Sequence, residues 1–510
     1  MVSLSDVAGS LLQGPSGDAA AHVTEREQSS YKPLTTFKLE KDRQYQQQYG
    51  DMYFLRLTKI KPAVEEVAAA AFDDVVIAKH QATKVERVLD VRQGELCWVA
   101  GTVYMDMPLK PSILDDVSKD RWISAPNFVQ KYWSEDDCDA IMLEDESGRI
   151  RLVGDVLKSV LLVTGCIIAV VGTENAQGDF EVIDIKFPDL PPQPERWQLT
   201  KKSATNGTKA VKKEKAKSED VEMTDRDPQR SSGTKIAIVS GLNFSGSDTS
   251  YAMELNLLLE YLLGEALDPA TQKELAQINR LIIAGNSISA DRAPRDDEEA
   301  HAEKKQHKKY GYDASTYNAI PSQLFDEFLS EILPTIPVTL LPGATDPANA
   351  SFPQQPIHTA MFPKARSFAA VPGAKEPGWF DAVTNPWDGE VEGWRVLGTS
   401  GQNLDDLFKY VDSDDRLGMM EAMCRWRCCA PTAPDTLWSY PFQDDDPFVL
   451  TSCPHLYFVG GQPEFATKII SGPEGQNVRL VAVPSFSEKR ELVLIDTETL
   501  DVTRLKIAID

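Results

Sequence analysis

Cysteine, histidine and basic residues are all scarce in this chain. Its 510 residues hold 7 cysteines and 6 histidines. The cysteines are odd in number and mostly far apart, so they spell no disulfide framework, and a reducing compartment is expected. Lys and Arg total 53 against 78 Asp and Glu, a formal charge of -25. So negative a body repels a polyanion unless a local basic patch intervenes, which argues against a main surface that grips nucleic-acid phosphates. Contact with DNA is expected to be local or delegated to a partner. No apolar run reaches the roughly 18 residues a membrane-spanning helix needs. The opening MVSLSDVAGSLLQG has no basic stretch leading into a sustained apolar core. A soluble, intracellular protein is expected. What is present is ordinary for a globular chain: 42% hydrophobic and 26% charged residues exclude a wholly disordered, collagenous or coiled-coil protein. At about 100 to 200 residues per domain, two to four domains are expected.

Residues 1–30 are small and polar without periodicity, the pattern of a disordered tail, and order is expected from about Tyr31. In 31–91, Tyr45, Tyr49, Tyr53 and Phe54 fall at mostly helical spacings and run into VEEVAAAAF, which predicts one or two helices between Phe37 and Ala71. Residues 92–195 change to short β runs separated by turn signals such as Glu146-Ser147-Gly148 and Gln177-Gly178-Asp179. About five strands in about 100 residues suit a small Greek-key barrel of the oligonucleotide/oligosaccharide-binding (OB) type, although periodicity does not separate this from another small barrel. Few aromatics there are interleaved with Lys or Arg. Its surface is expected to serve domain or subunit packing, with a single-stranded DNA-binding module as the alternative.

Between 196 and 233 apolar residues nearly vanish, as in a flexible linker; Lys201, Lys202, Lys212 and Lys213 form two basic clusters of the import-signal kind. From 234 to 510 β and α patterns alternate, predicting a layered α/β domain with a largely parallel sheet and some antiparallel closure. The last two expected strands, Val478 to Val483 and Glu491 to Ile495, flank Pro484 to Arg490 as a hairpin. The almost purely charged run 290–311 breaks this domain as a disordered insertion.

In open α/β sheets ligands collect where strands end. Four such ends stand out: Ser240-Gly241-Leu242-Asn243, Gly285-Asn286-Ser287, Pro342-Gly343-Ala344-Thr345-Asp346 and Gly460-Gly461-Gln462-Pro463. Gly241 and Gly246 have the spacing of a phosphate loop, but Ser247 and Asp248 follow where Lys and Ser/Thr are needed, and a carboxylate there repels phosphate. Cys424, Cys428 and Cys429 cluster, with Cys453-Pro454-His455 further on. The last pair is too close for a second zinc knuckle, so buried thiols beside Trp426 are expected. His358 and His455 read as structural. No G-x-S-x-G elbow joins a strand to a helix. Trp379, Phe380, Trp387 and Trp394 lie in a Pro/Gly-rich stretch and are either anchors for a partner or covers for their own sheet.

Taken in order, the four strand ends resemble those of calcineurin-like metallophosphoesterases, which end in D-x-H, G-D, G-N-H-D/E and G-H-x-H. On that resemblance Ser240 and Leu242 stand for the first Asp and His, and Asn286 for the bridging Asp. Ala344 and Thr345 stand for the Asn–His pair, and Gly461 and Pro463 for the last two His. The resemblance therefore implies an α/β sandwich that lacks its metal ligands, with no catalytic residue and no cofactor. A metal-dependent phosphoesterase or nuclease is the enzyme alternative, for which Asp346 would be the remaining acid.

The whole chain resembles the B-subunit family of eukaryotic replicative DNA polymerases, and within it the small subunits of DNA polymerase delta. VSGLNFSG from Val239, LIIAGNSI from Leu281, LPGATDPANASFPQQPIHTAMFP from Leu341, GTSGQNLDDLFKY from Gly398 and CPHLYFVGGQPEF from Cys453 carry the resemblance. It implies an OB fold joined to an inactivated phosphoesterase domain, acting as a non-catalytic nuclear scaffold in replication and repair synthesis. The implied partners are the cysteine-rich C-terminal region of the polymerase delta catalytic subunit and a third, elongated subunit. DNA is met mainly through the holoenzyme, and no membrane is involved.

Overall fold

The computed structural model describes residues 26–44, 49–77, 79–111, 131–134, 139–196, 233–264, 269–289, 318–371, 374 and 376–508. Residues 1–25, the linker from 197 to 232 and the whole charged insertion lie outside the described residues. The described chain starts before Tyr31. Arg26 is already anchored, its guanidinium donating to the carbonyls of Leu275 at 3.0 Å and Ile278 at 2.9 Å.

Strand β1 (Tyr31–Pro33) adds antiparallel to Trp387–Val391. Helix α1 (Gly50–Phe72) is a single helix that begins well after Phe37, whose side chain is instead in a core. Its buried residues Met52, Arg56, Ile60, Val64, Ala68 and Phe72 recur every fourth position. Such spacing puts them on one face. That face lies on Trp98, Ala100, Ile167, Ala169 and Val171.

Those residues belong to a unit of five main strands, β2 (Leu96–Asp106), β3 (Ala140–Glu144), β4 (Arg149–Val153), β5 (Ile167–Glu174) and β6 (Phe180–Lys186), to which the two-residue strand Thr83–Lys84 adds parallel to β2. Its pairings close on themselves. Strand β2 pairs with β3, β3 with β4, β4 with β6, β6 with β5, and β5 back to β2. The length of β2 makes closure possible, since Leu96 to Thr102 bond β5 while Thr102 to Asp106 bond β3. Alternate residues point to opposite faces of a strand. Cys97, Val99 and Val103 accordingly join Leu143, Ile168 and Phe180 in one core, while Leu96, Trp98 and Ala100 face α1.

The rest of the chain runs β7 (Lys235–Val239), α2 (Ala252–Leu263), β8 (Ile278–Ala284), α3 (Ile320–Ile332), β9 (Val338–Leu341) and β10 (Phe380–Ala382). Then come β11 (Trp387–Val391), β12 (Trp394–Thr399), α4 (Gln402–Tyr410) and α5 (Arg416–Arg425). It closes with β13 (Leu456–Gln462), β14 (Ala466–Ser471), β15 (Asn477–Pro484), β16 (Glu491–Asp496) and β17 (Val502–Lys506). These strands form two six-stranded sheets rather than one, ordered β10-β9-β8-β7-β16-β17 and β1-β11-β12-β13-β15-β14. Strands β7 to β10 are parallel, as are β12, β13 and β15, with antiparallel strands at the flanks.

The inner faces meet in a shared core of Ile236, Ile238, Ile282, Trp387, Phe458 and Val481. Ala237, Val239 and Ile283, one residue out of step, face the cluster under α2 and α3. The expected hairpin around Pro484 to Arg490 is absent: β15 belongs to one sheet and β16 to the other, and the short helix Phe486–Lys489 carries the chain across. The five-stranded unit shares a core with α4 and α5. Arg427 locks the two by donating to the carbonyls of Asp189 at 2.7 Å, Pro188 at 3.0 Å and Leu190 at 3.2 Å.

Candidate functional site: the strand-end crevice

Parallel strands end together, so the segments after β7, β8, β9, β12 and β13 converge at one edge of the two sheets. They are stitched to one another directly. The Ser240 hydroxyl donates to Ala284 O at 2.6 Å and accepts from Gly461 N at 2.8 Å. Gly241 N donates to Gly285 O at 2.9 Å, and Asn243 N to Asn286 O at 3.0 Å. From the second sheet, the Ser400 hydroxyl donates to Pro342 O at 2.7 Å.

Backbone fills the crevice. A Cβ on Gly343 would lie 2.2 Å from Asn286 N, and one on Gly460 would lie 2.4 Å from Ala284 O. Only glycine permits such approach.

Each residue placed by the phosphoesterase resemblance has another occupation. Ser240 is fully buried and uses its hydroxyl in the two bonds just described. Leu242 is fully buried in the apolar cluster under α2 and α3. Asn286 sits in the left-handed region at φ 53°, where its Oδ1 accepts from Thr345 N at 3.2 Å. Ala344, Thr345 and Pro463 are exposed, and Gly461 turns the chain at φ 66°.

Asp346, the acid that follows β9 at this edge, is buried. Its Oδ1 accepts from Ser287 N at 2.9 Å and Ile288 N at 2.8 Å, and its Oδ2 from Gly343 N at 2.8 Å. Burial raises its pKa to about 6 in spite of those amide bonds, which act the other way. It is a staple between two loops.

A pair of hard or borderline cations needs several carboxylate or imidazole donors converging on one space. Leu242, Ala344, Gly461 and Pro463 offer none, and the oxygens of Ser240 and Asp346 are committed to backbone groups. These residues do not fit a dinuclear metal site. Among the described residues no group of three or more His, Cys, Asp or Glu is arranged to hold a metal ion.

His455 and the clustered cysteines are part of the packing. His455 Nδ1 accepts from Arg395 N at 3.2 Å, its ring meets Trp394 edge-on, and burial lowers its pKa. Cys424, Cys428, Cys429 and Cys453 are buried free thiols. Burial pushes Cys428 up to about 11 and Cys453 up to about 12, so neither is a ready thiolate.

The four candidate anchors divide. Phe380 and Trp387 are each 1% exposed, Phe380 edge-on to Phe362 and Trp387 against Phe458 and Tyr31. They cover their own sheets and present nothing to a partner. Trp394 is half-buried, with Nε1 donating to Thr497 O at 2.6 Å and the Arg196 guanidinium over its ring. Only Trp379 among the four is an exposed large side chain.

Residues 236–467 match the B-subunit family of DNA polymerases alpha and epsilon, and residues 48–185 match the DNA polymerase delta subunit OB-fold domain. The two matches define a B-type accessory subunit of a replicative polymerase. The chain is 33% identical over 506 residues to the DNA polymerase delta small subunit of Saccharomyces cerevisiae, with 94% of this chain and 93% of that one covered. It is 34% identical to the DNA polymerase delta small subunit of Oryza sativa, covering 95% and 99%, and 31% identical to DNA polymerase delta subunit 2 of Drosophila melanogaster, covering 96% and 100%. The chain belongs to the family of DNA polymerase delta small subunits, which are accessory subunits and not themselves polymerases.

Proposed function

We propose that this chain is the non-catalytic scaffold of a DNA polymerase delta holoenzyme. In this reading the closed five-stranded unit is an OB barrel, and the two facing sheets are a calcineurin-like phosphoesterase sandwich whose site has been dismantled. The scaffold joins the cysteine-rich C-terminal region of the catalytic subunit to an elongated third subunit, works in the nucleus, and meets DNA mainly through the assembled enzyme. One observation carries the reading: the edge where a phosphoesterase holds its metals is filled by the backbone of Asn286, Gly343 and Gly461 and by the Ser240 hydroxyl, which accepts from Gly461 N.

The test is to co-express the chain with the catalytic subunit's C-terminal region, purify through a tag on one partner, and assay metal content and phosphodiester hydrolysis on that sample. A stoichiometric complex without a metal pair in this subunit and without hydrolysis is expected. Failure to form a complex, or two metals with turnover lost on Asp346→Ala, would overturn the proposal.

A further inference from the structure

Helices α2 and α3 lie side by side over the first sheet and leave between them a groove of about 290 Å³ that the strand-end crevice does not share. Its walls are the facing stripes of the two helices, with Leu255 and Leu259 four apart on one and Leu324 and Phe328 four apart on the other. Residues four apart share a helix face. The groove thus runs along both helices and is apolar on both sides. Leu324 is 39% exposed and Leu259 half-buried at the lips of the groove, while Leu255 and Phe328, 8% and 6% exposed, form its floor. An apolar floor with an apolar lip on each of two neighbouring helices suits a docked side chain better than a scattered surface residue does.

The charged residues that line the groove are acidic. Asp248, Glu327 and Glu331 line the groove, and no Lys, Arg or His is among its described lining residues. Glu327 also meets Lys364 at 3.0 Å, but both side chains are more than half exposed, so that pair can exchange for another cation. A nucleic-acid strand is repelled by such a rim.

We propose that this groove receives an amphipathic helix of a partner subunit, one that turns aliphatic or aromatic side chains down onto Leu255, Leu259, Leu324 and Phe328 and carries Lys or Arg along its flanks. An amphipathic helix laid in an apolar groove uses anchors at i, i+3, i+4 and i+7, the spacing these two stripes complement. The acidic rim steers the basic flanks and sets orientation. This rests on the scaffold reading above, since it supplies one of that scaffold's joints.

The experiment uses the full chain with two probes, the catalytic subunit's C-terminal region and the third subunit, each titrated against wild type, Leu324→Glu and Glu327→Lys/Glu331→Lys. All three positions are exposed, and thermal melting confirms folding of each variant. Leu324→Glu is expected to weaken one of the two subunits by about tenfold or more and leave the other within twofold. The double charge reversal should weaken the same subunit and flatten its salt dependence. Binding of both subunits unchanged within about twofold by both variants, or equal loss of both, overturns the proposal. Tighter binding on deleting 290–311, with the gain cancelled by Leu324→Glu, would assign the groove to this chain's own lysine-rich segment and also overturn it. Failure of wild type to bind either subunit would instead remove the scaffold reading itself.

Discussion

Arg56 and Asp446 form an ion pair 2.8 Å long with side chains 1% and 0% exposed, pinning the first turns of α1 to the loop before Phe448. Arg56 Nη1 also donates to Pro431 O at 2.7 Å, and Asp446 Oδ1 accepts from Phe448 N at 2.9 Å. Burial works against the guanidinium's charge, yet the adjacent carboxylate prevails and holds its pKa above the ordinary value. The pair joins the N-terminal helix to the α/β unit.

Removing one partner strands the other as a buried charge. Asp446→Ala is expected to cost about 3–5 kcal/mol, and Arg56→Met less, because it removes the cation and leaves a carboxylate still bonded to an amide. The double variant should be less destabilised than the two single losses summed, by about 0.5–3 kcal/mol. Urea unfolding of all four proteins measures this; strict additivity would mean that the pair is not coupled.

Asp346 gives the strand-end edge a pH dependence. Its folded pKa of about 6 lies above the ordinary 3.8, so the native state holds the proton more tightly than the unfolded chain. This contribution to stability is full below about pH 4, falls as pH rises to about 6, and is then constant. A shift of about two units corresponds to about 3 kcal/mol. Asp346→Asn removes the titration and turns an amide N–H toward the Gly343 N–H, so the variant should be less stable throughout. Its deficit relative to wild type should shrink between about pH 4 and pH 6, measured by denaturant midpoints across that range. A deficit that grows with pH would contradict the assignment.

At Gly343 the closed crevice can be tested without touching an ionisable group. An added methyl would meet Asn286 N at 2.2 Å and Asn286 Oδ1 at 2.4 Å, and the loops on both sides are held by Asp346. Gly343→Ala is expected to lose about 1–3 kcal/mol by overpacking. A neutral result in chemical denaturation would mean that the loops separate readily and that the crevice is openable.

The elements that could be read from the sequence are those whose pattern is local. The every-fourth stripe from Met52 to Phe72 announces a helix, and Arg56 within it is the available sign of a buried ion pair. The strands of the closed unit carry β-branched runs bounded by Gly turns. Strands β11 and β17, with sequences WDGEV and VTRLK, lack such a run because charged residues and a glycine interrupt their apolar positions. The connection from β15 to β16 is illegible in the sequence for a different reason. Both strands are apolar on both faces, so nothing in them tells which sheet each enters. At the strand ends, the missing ligands are visible from residue type alone. The closure by Gly343 against Asn286 is not, since it depends on two loops far apart in sequence meeting in space.

Trp379 and Trp387 look equivalent in sequence and should behave oppositely. Trp387 is 1% exposed, packed between Tyr31 on β1 and Phe458 on β13, with ring centroids at 6.3 Å and 6.2 Å. Truncating it opens a cavity between the two sheets. Trp387→Ala is therefore expected to lose about 3–5 kcal/mol. Trp379 is 37% exposed beside Pro334, Pro337 and Pro377, so Trp379→Ala should change stability by no more than about 1 kcal/mol. Denaturation of both variants decides the ranking, and capture of the two partner subunits by Trp379→Ala separates surface roles from packing. A large loss of stability at Trp379 would make all four aromatics internal supports, whereas a stable variant with weakened capture would leave Trp379 as the single anchor among them.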